Sequence, residues 1–360
     1  MSDTTLYKKI LQELNTIIIE NKNIKGYKLP SERALATKFS SSRPPIRAAY
    51  QQLVKQDLVE VVHGKGYFIK NADKSSLKSS QLKIQVLFVT PSLKTNFMQQ
   101  LHSGVSKFCE DRNIELSIKI TDESEKKEKK LLESLSYSNY DGLILFPVDN
   151  EYYNEPLLKL SIAKYPTVII DRYIKTLNLS FVSTDNHKAM MDTIKYLHNK
   201  KYKNIVYVTF EPSLATTNEE RINGYNNGML KYYGYTLASN MLTLKSNNKD
   251  YIYNEIKTFL QENPNTDALI ITDTFLSAAY LAISELNYKV PDQLRLVVFD
   301  NEISFAEKKL MSPYIIEQEG EKIGHFAAMH LYNQITTGNK RIVSKKFPAK
   351  IIDPDFKPIP

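Results

Sequence analysis

One cysteine in 360 residues, Cys109, leaves no disulfide possible within a chain and suits a reducing, cytoplasmic setting. It stands beside Phe108 in a helical pattern, the setting of a packed thiol. The opening "MSDTTLYKK" has no apolar segment of the secretory kind, so no signal peptide is expected. No apolar run approaches the length of a membrane span; "NTIIIENK" is too short and lies inside an amphipathic helical pattern, so no membrane partner is expected. The six histidines have no metal-ligand spacing, and His325 and His330, five apart, do not share a helix face. G-x-S-x-G, H-E-x-x-H, Walker and G-x-G-x-x-G motifs are all missing. The chain is expected to be no enzyme and to hold neither metal nor cofactor.

What is present is unevenly spread. The net charge is +8, yet residues 1–82 carry 14 Lys and Arg against 7 Asp and Glu, while the other 278 carry 34 against 33. Nearly all the excess lies in the first quarter of the chain. That is the electrostatic footprint of a nucleic-acid-binding head on a nearly neutral body.

The head reads as a helix-turn-helix with a β-wing. Asp3 or Thr4 caps a first helix through about Asn21, with Leu6, Ile10, Leu14 and Ile17 at helical spacing. Ser31 caps a second helix whose apolar side is Leu35, Ala36 and Phe39. Ser41 is the expected cap of a third helix with Pro44 and Pro45 in its first turn; a Ser42 cap would face two prolines and find no N–H to bond. Ile46, Ala49, Tyr50, Leu53 and Val54 form the expected buried stripe, with Arg43 and Arg47 four apart on the solvent side. A recognition helix needs that arrangement, because its first turns meet the major groove. The alternative is that Arg33 is a solvated charge and that Arg43 and Arg47 pair with Glu32 or Asp57. Leu58–Val62 and Tyr67–Ile69 read as strands joined by the turn His63-Gly64-Lys65-Gly66.

In order and spacing, "LPSERALA", "SSRPPIRAAYQQL" and "DLVEVVHGKGYF" resemble the winged helix-turn-helix of the GntR family of bacterial transcription regulators, over roughly residues 5 to 70. Asp57, standing where that family usually has a Glu-Gly-like turn pair, is a departure in a connector. The resemblance implies that Arg33, Arg43, Arg47, His63 and Gly64 contact double-stranded operator DNA, with Lys65 also in the wing. Ser31 and Ser42, at the helix starts, are expected on the same face.

The polar stretch Lys70–Lys83, rich in Ser and Lys, reads as a linker. The expected division is thus a DNA-binding domain over 1–70, a linker over 71–83 and a ligand-binding domain over 84–360. From Ile84 strands and helices alternate, which argues for parallel sheets covered on both faces. There are too many strands for one small sheet, so two α/β lobes are expected. Ligands of such sheets bind at the carboxyl ends of strands. Asp149, Asp171, Arg172, Asp185, Asp273 and Asp300 fall at such ends. Carboxylates with a guanidinium suit a neutral polyol, and Phe97 or a Tyr could stack on its apolar face. Asp185 and Asp273 could equally be helix caps, and Arg172 part of a structural ion pair.

The ordered series "VLFVTPSLKTNFMQQLHSGV", "YDGLILFPV", "PTVIIDR", "VSTDN", "ERINGY", "ITD", "KVPDQLRLVVFDN" and "SPYIIEQEGEKIG" is similar to the effector domain of LacI/GalR regulators, itself similar to periplasmic sugar-binding proteins. By position this resemblance implies ligand contacts from Phe97, Asp171, Arg221, Thr272, Asp300 and Gln318. "ITD" and "VVFDN" depart from the usual Ala-Asn-Asp and Gly-Phe/Tyr-Asp-Asp of that family, so the ligand could be an unusual sugar or a non-sugar. A GntR-like head on such a body resembles AraR-type sugar-responsive repressors. The fold class expected is α/β, a small winged helix-turn-helix plus a two-lobed periplasmic-binding-protein-like domain. The function expected is operator binding by a homodimer, controlled by a small-molecule effector, a sugar such as arabinose. The alternatives are a regulator sensing a non-sugar metabolite and a solute-binding protein.

Overall fold

A computed structural model describes residues 3–21, 24, 26–55, 58–70, 83–135, 140–148, 155–211, 216–236, 238–339 and 341–354. The chain folds as two compact units, one on Met1–Lys83 and a larger one beginning at Ile84.

The first unit holds α1 (Asp3–Asn21), α2 (Glu32–Lys38), α3 (Arg43–Lys55) and the antiparallel hairpin β1 (Val59–Val62) and β2 (Gly66–Ile69). One apolar core joins Ile10 and Leu14 of α1, Leu35 of α2, Ile46, Ala49, Tyr50 and Leu53 of α3, and Val59 and Ile69 of the hairpin. The Ser31 hydroxyl accepts the Ala34 N–H at 3.2 Å and starts α2. Two expectations for α3 are corrected. The helix opens at Arg43, not after a Ser41 cap, so Pro44 and Pro45 occupy its second and third positions. The Ser41 hydroxyl instead donates to the Ser42 carbonyl at 3.1 Å. Val54 is exposed, because it lies seven residues beyond Arg47 and hence on the same solvent face, outside the Ile46–Leu53 stripe. In the hairpin turn Gly64 and Gly66 adopt φ +74° and +111°, conformations that favour glycine.

The larger unit has two lobes. The first lobe is built on β3 (Gln85–Thr90), β4 (Glu115–Ile120), β5 (Gly142–Leu145), β6 (Thr167–Ile170), β7 (Ser180–Thr184) and a late strand, β13 (Ser344–Phe347), in the order β13-β7-β6-β5-β3-β4. All its pairings are parallel. The second lobe holds β8 (Ile205–Phe210), β9 (Met241–Leu244), β10 (Ala268–Thr272), β11 (Arg295–Phe299), β12 (Tyr314–Glu317) and β14 (Lys350–Ile352), in the order β14-β12-β11-β10-β8-β9, with only β14 antiparallel among the described pairings. The central strands are buried throughout, as parallel strands between two helix layers must be. The covering helices are α4 (Asn96–Asp111), α5 (Glu125–Ser134), α6 (Glu155–Ile162), α7 (Asn186–Asn199), α8 (Thr216–Tyr233), α9 (Lys249–Glu262), α10 (Leu276–Glu285), α11 (Phe305–Met311) and α12 (Gly320–Thr337).

The chain passes between the lobes three times, after Thr184, after Glu317 and between Phe347 and Lys350. Although α12 follows the second lobe in sequence, it packs into the first-lobe core with Leu101 and Val105 of α4. The crossings are tied together: Thr184 Oγ1 donates to Gln318 Oε1 at 2.5 Å, and the Asp185 N–H donates to the Phe347 carbonyl at 2.8 Å. Among the described residues no helix is long and apolar enough to cross a membrane.

Candidate functional site

On the head, Ser31, Arg33, Ser42, Arg43, Arg47, His63, Gly64 and Lys65 are all exposed. Two of the three helices and the hairpin turn supply them, since the apolar periodicity of α2 and α3 turns their charged residues outward. Arg47 is held at its side edge: Nε donates to Glu32 Oε1 at 3.3 Å and Nη2 to Glu32 Oε2 at 3.2 Å. The Tyr67 hydroxyl donates to the same carboxylate at 3.0 Å, and the Tyr67 ring stacks on Tyr50 with centroids 3.7 Å apart. Tyr50 in turn donates its hydroxyl to the Pro30 carbonyl. The Arg47 bonds hold the Glu32 carboxyl below the usual range, against the opposing effect of burial. So the pairing of Arg47 with Glu32, weighed from sequence as an alternative to DNA contact, is present; Asp57, the other partner considered, lies outside the described residues.

In the body, a cavity of about 430 Å³ opens between the lobes at the carboxyl ends of the strands. It gathers Phe97, Asp171, Arg172, Arg221, Thr272, Asp273, Asp300 and Gln318, eight of the ten positions named from the sequence, Asp185 lying outside it. Asp149 lies outside the described residues. Asp171 follows β6 and Asp300 follows β11, each in the left-handed region at φ +66° and +78°. Asp tolerates that region better than most residues, and the turn swings both carboxylates off the strand line. Gln318, buried in the second crossing, donates Nε2 to Asp300 Oδ1 at 2.6 Å. Arg221 rises from α8, its guanidinium 3.6 Å from the Phe299 ring centroid and its Nε donating to Asn186 Oδ1 at 2.8 Å. Arg172 donates to the Pro147 carbonyl at 3.4 Å, lies 4.0 Å from Asp171 Oδ2 and covers the Phe146 ring, so it is both a local ion-pair member and a cavity wall.

Burial pushes the Asp300 carboxyl up to about 7. Neighbouring Asp273 and Asp171 add to that, while Arg221 and Gln318 oppose it. Burial also raises Asp273, against the Thr274 N–H and Arg221. Asp185 is outside the cavity; its carboxylate caps α7 by accepting the Lys188 N–H at 3.0 Å.

Several wall residues went unread in the sequence. Phe146, Phe210 and Phe275 add phenyl faces, and Thr209 and Asn218 add polar groups, with the Thr209 hydroxyl donating to Asn218 Oδ1 at 2.8 Å. Glu302 of the second lobe accepts the Asn96 N–H and, at 3.3 Å, the Phe97 N–H at the start of α4 in the first lobe. No local pattern marks it, since its partners lie about 205 residues away; its place two residues past Asp300 is the one available cue. Cys109 is packed in the first-lobe core, and burial pushes its thiol up to about 11. Among the described residues no group of three or more His, Cys, Asp or Glu could hold a metal ion.

A winged helix-turn-helix joined to a two-lobed α/β body with a polar interlobe cavity defines a class: transcription regulators that bind DNA and a small effector. Residues 86–337 match the family model described as periplasmic binding protein domain, and residues 6–69 that of the bacterial regulatory proteins, gntR family. The chain belongs to the periplasmic-binding-protein-like family, carrying a gntR-type head, and is a transcription regulator. It is 28% identical over 244 residues to the probable HTH-type transcriptional regulator EndR of Paenibacillus polymyxa, covering 66% of this chain and 69% of that one. It is 23% identical to the arabinose metabolism transcriptional repressor of Halalkalibacterium halodurans, over 82% of this chain and 80% of that one. The crystal structure of the transcription regulator CcpA of Lactococcus lactis shares the body's fold, with TM-score 0.65 and 16% identity over 75% of this chain and 98% of that one. These relatives are regulators, not enzymes.

Proposed function

We propose that this regulator is a repressor, acting as a homodimer on operator duplex and controlled by a monosaccharide bound between the lobes. The head would hold DNA with Arg33, Arg43 and Arg47, with the wing residues His63, Gly64 and Lys65, and with Ser31 and Ser42 at the helix starts. The observation that carries the reading is the convergence of Asp171, Asp273, Asp300, Arg172 and Arg221 with phenyl walls in one cavity of about 430 Å³. Carboxylates accept hydroxyl protons, guanidinium groups donate to ring and hydroxyl oxygens, and phenyl faces cover the C–H face of a sugar. The name of the arabinose metabolism repressor among its relatives supports the same class of effector.

In this reading the ligand binds one relative position of the lobes better than the other. It can shift that equilibrium only by its differential affinity, about 1–3 kcal/mol of coupling. Sugar binding then weakens the hold of the paired heads on their half-sites. The test begins with a thermal-shift screen of pentoses, hexoses and their phosphates, since a ligand of the native state raises the melting temperature. The active compound is then titrated against protein bound to a selected duplex. Wild type should release DNA, whereas Asp300→Ala should bind DNA normally and ignore the ligand, because a buried polar contact is lost while the head is untouched. A mutant that responds at the wild-type ligand concentration would remove Asp300 from the site.

A further inference from the structure

We infer that Glu32 is a specificity-determining positioning residue: it grips the side edge of Arg47 and so aims the arginine's end-on fork at one base pair of the operator. The inference rests on the proposal that Arg47 meets DNA and deepens it. An arginine has five N–H donors in a rigid planar fork. Glu32 engages Nε and Nη2, at 3.3 and 3.2 Å. The edge formed by Nη1 and Nη2 is then the one Arg47 offers to a partner. That edge matches the O6 and N7 acceptors of a guanine in the major groove, the commonest base-specific contact.

The grip is itself anchored. Glu32 is the first residue of α2, its side chain only 20% exposed against 58% for Arg47. Its Oε1 also accepts the Tyr67 hydroxyl of β2 at 3.0 Å, and Tyr67 is stacked on Tyr50 of α3. One carboxylate therefore ties the first turn of α2, the recognition helix and the wing strand to a single arginine. A free arginine on an exposed helix samples many rotamers and loses that freedom on binding; one already held loses less, and loses it only for the geometry in which it is held. A carboxylate this close to a DNA backbone also repels phosphate. It lowers affinity for every sequence alike, while sharpening preference for the one that Arg47 reads.

That pair of opposite effects separates positioning from mere folding. The experiment uses the full-length protein and a duplex selected by the wild type from a randomised library. Each position of the duplex is then substituted in turn, and affinities are measured for wild type, Arg47→Ala, Glu32→Gln and the double variant. Glu32→Gln keeps the size and one acceptor for Tyr67. Arg47→Ala should lose about tenfold preference at one base pair. Glu32→Gln should lose most of the same preference at the same base pair, while its affinity for unrelated duplex is unchanged or higher. In the Arg47→Ala background, Glu32→Gln should have no further effect on preference. Full preference retained in Glu32→Gln would overturn the inference, as would a loss at a different base pair or an equal loss on all duplexes with a lowered melting temperature. If Arg47→Ala itself left the preference profile unchanged, the assignment of Arg47 to DNA would fall, and the inference with it.

Discussion

At the scale of single residues, Asp300 holds the clearest prediction. Its carboxyl titrates near 7 in the folded protein, against roughly 3.9 for an unfolded aspartate. Between those values the folded state carries the extra proton, so Asp300 makes stability fall as pH rises through that window. Asp300→Asn removes the term. Its melting temperature, relative to wild type, should therefore improve more at about pH 8 than at about pH 5. Equal differences at both pH values would mean that Asp300 does not titrate in that window. Ligand hydroxyls that donate to the ionised carboxylate should also bind more tightly as pH rises through about 7, measured by calorimetry. On the head, Lys65 is an exposed cation in the hairpin turn, a point charge suited to phosphate. Lys65→Ala should weaken all duplexes alike and make the slope of log affinity against log salt shallower by about 1.

At the scale of elements, α4 and α12 cross at two glycines. A Cβ on Gly324 would stand 2.1 Å from the Leu101 carbonyl oxygen, and one on Gly104 would stand 2.1 Å from that of Glu321. Both obstacles are helix backbone, which cannot turn aside as a flexible side chain would. Gly324→Ala must push the helices apart and should cost about 3 kcal/mol, read by chemical denaturation. Wild-type stability would show that the helices do not pack this closely. The consequence reaches the cleft, because α4 begins with Asn96 and Phe97 and α12 follows directly on Gln318 and Glu319.

At the scale of the whole molecule, the lobes of the body are joined across the cavity by more than the chain. Glu302 accepts N–H groups from the start of α4, Lys175 pairs with Glu219 at 2.5 Å, and Glu220 accepts from both Tyr173 and Lys346. The exposed Lys175 pair contributes little. Glu302 contributes more, since it satisfies backbone donors of a helix terminus, where loss of a capping acceptor costs about 1 kcal/mol. Glu302→Ala should weaken effector binding several-fold and leave operator affinity of the ligand-free protein near wild type. Unchanged effector affinity would exclude Glu302 from holding the lobes. Paired heads should protect a near-palindromic site; a footprint of one isolated half-site would count against the homodimer.

Much of this was legible in the sequence for definable reasons. Charge asymmetry marked the head, because Lys and Arg on a DNA-binding face need no tertiary context to be counted. Apolar period marked α1, α2, α3 and the buried strands, and strand-end position marked Asp171, Asp273 and Asp300, because a parallel sheet always offers its carboxyl edge. The weakly patterned elements were not legible: β9 and β13 are four-residue edge strands, the first partly buried and the second half exposed, and α9 and α11 went unread although Asn248 caps one and a Ser304–Glu307 capping box opens the other. Val54 misled because its apolar side chain sits on the face of Arg47. What only tertiary structure decided are the long-range meetings. Glu302 reaches α4, Gln318 joins Thr184 to Asp300, and Glu32 closes on Arg47 fifteen residues on. Periodicity governs which face of an element is buried. It does not govern which polar group, carried there by another part of the chain, stands opposite, and that choice is made only when the layers pack.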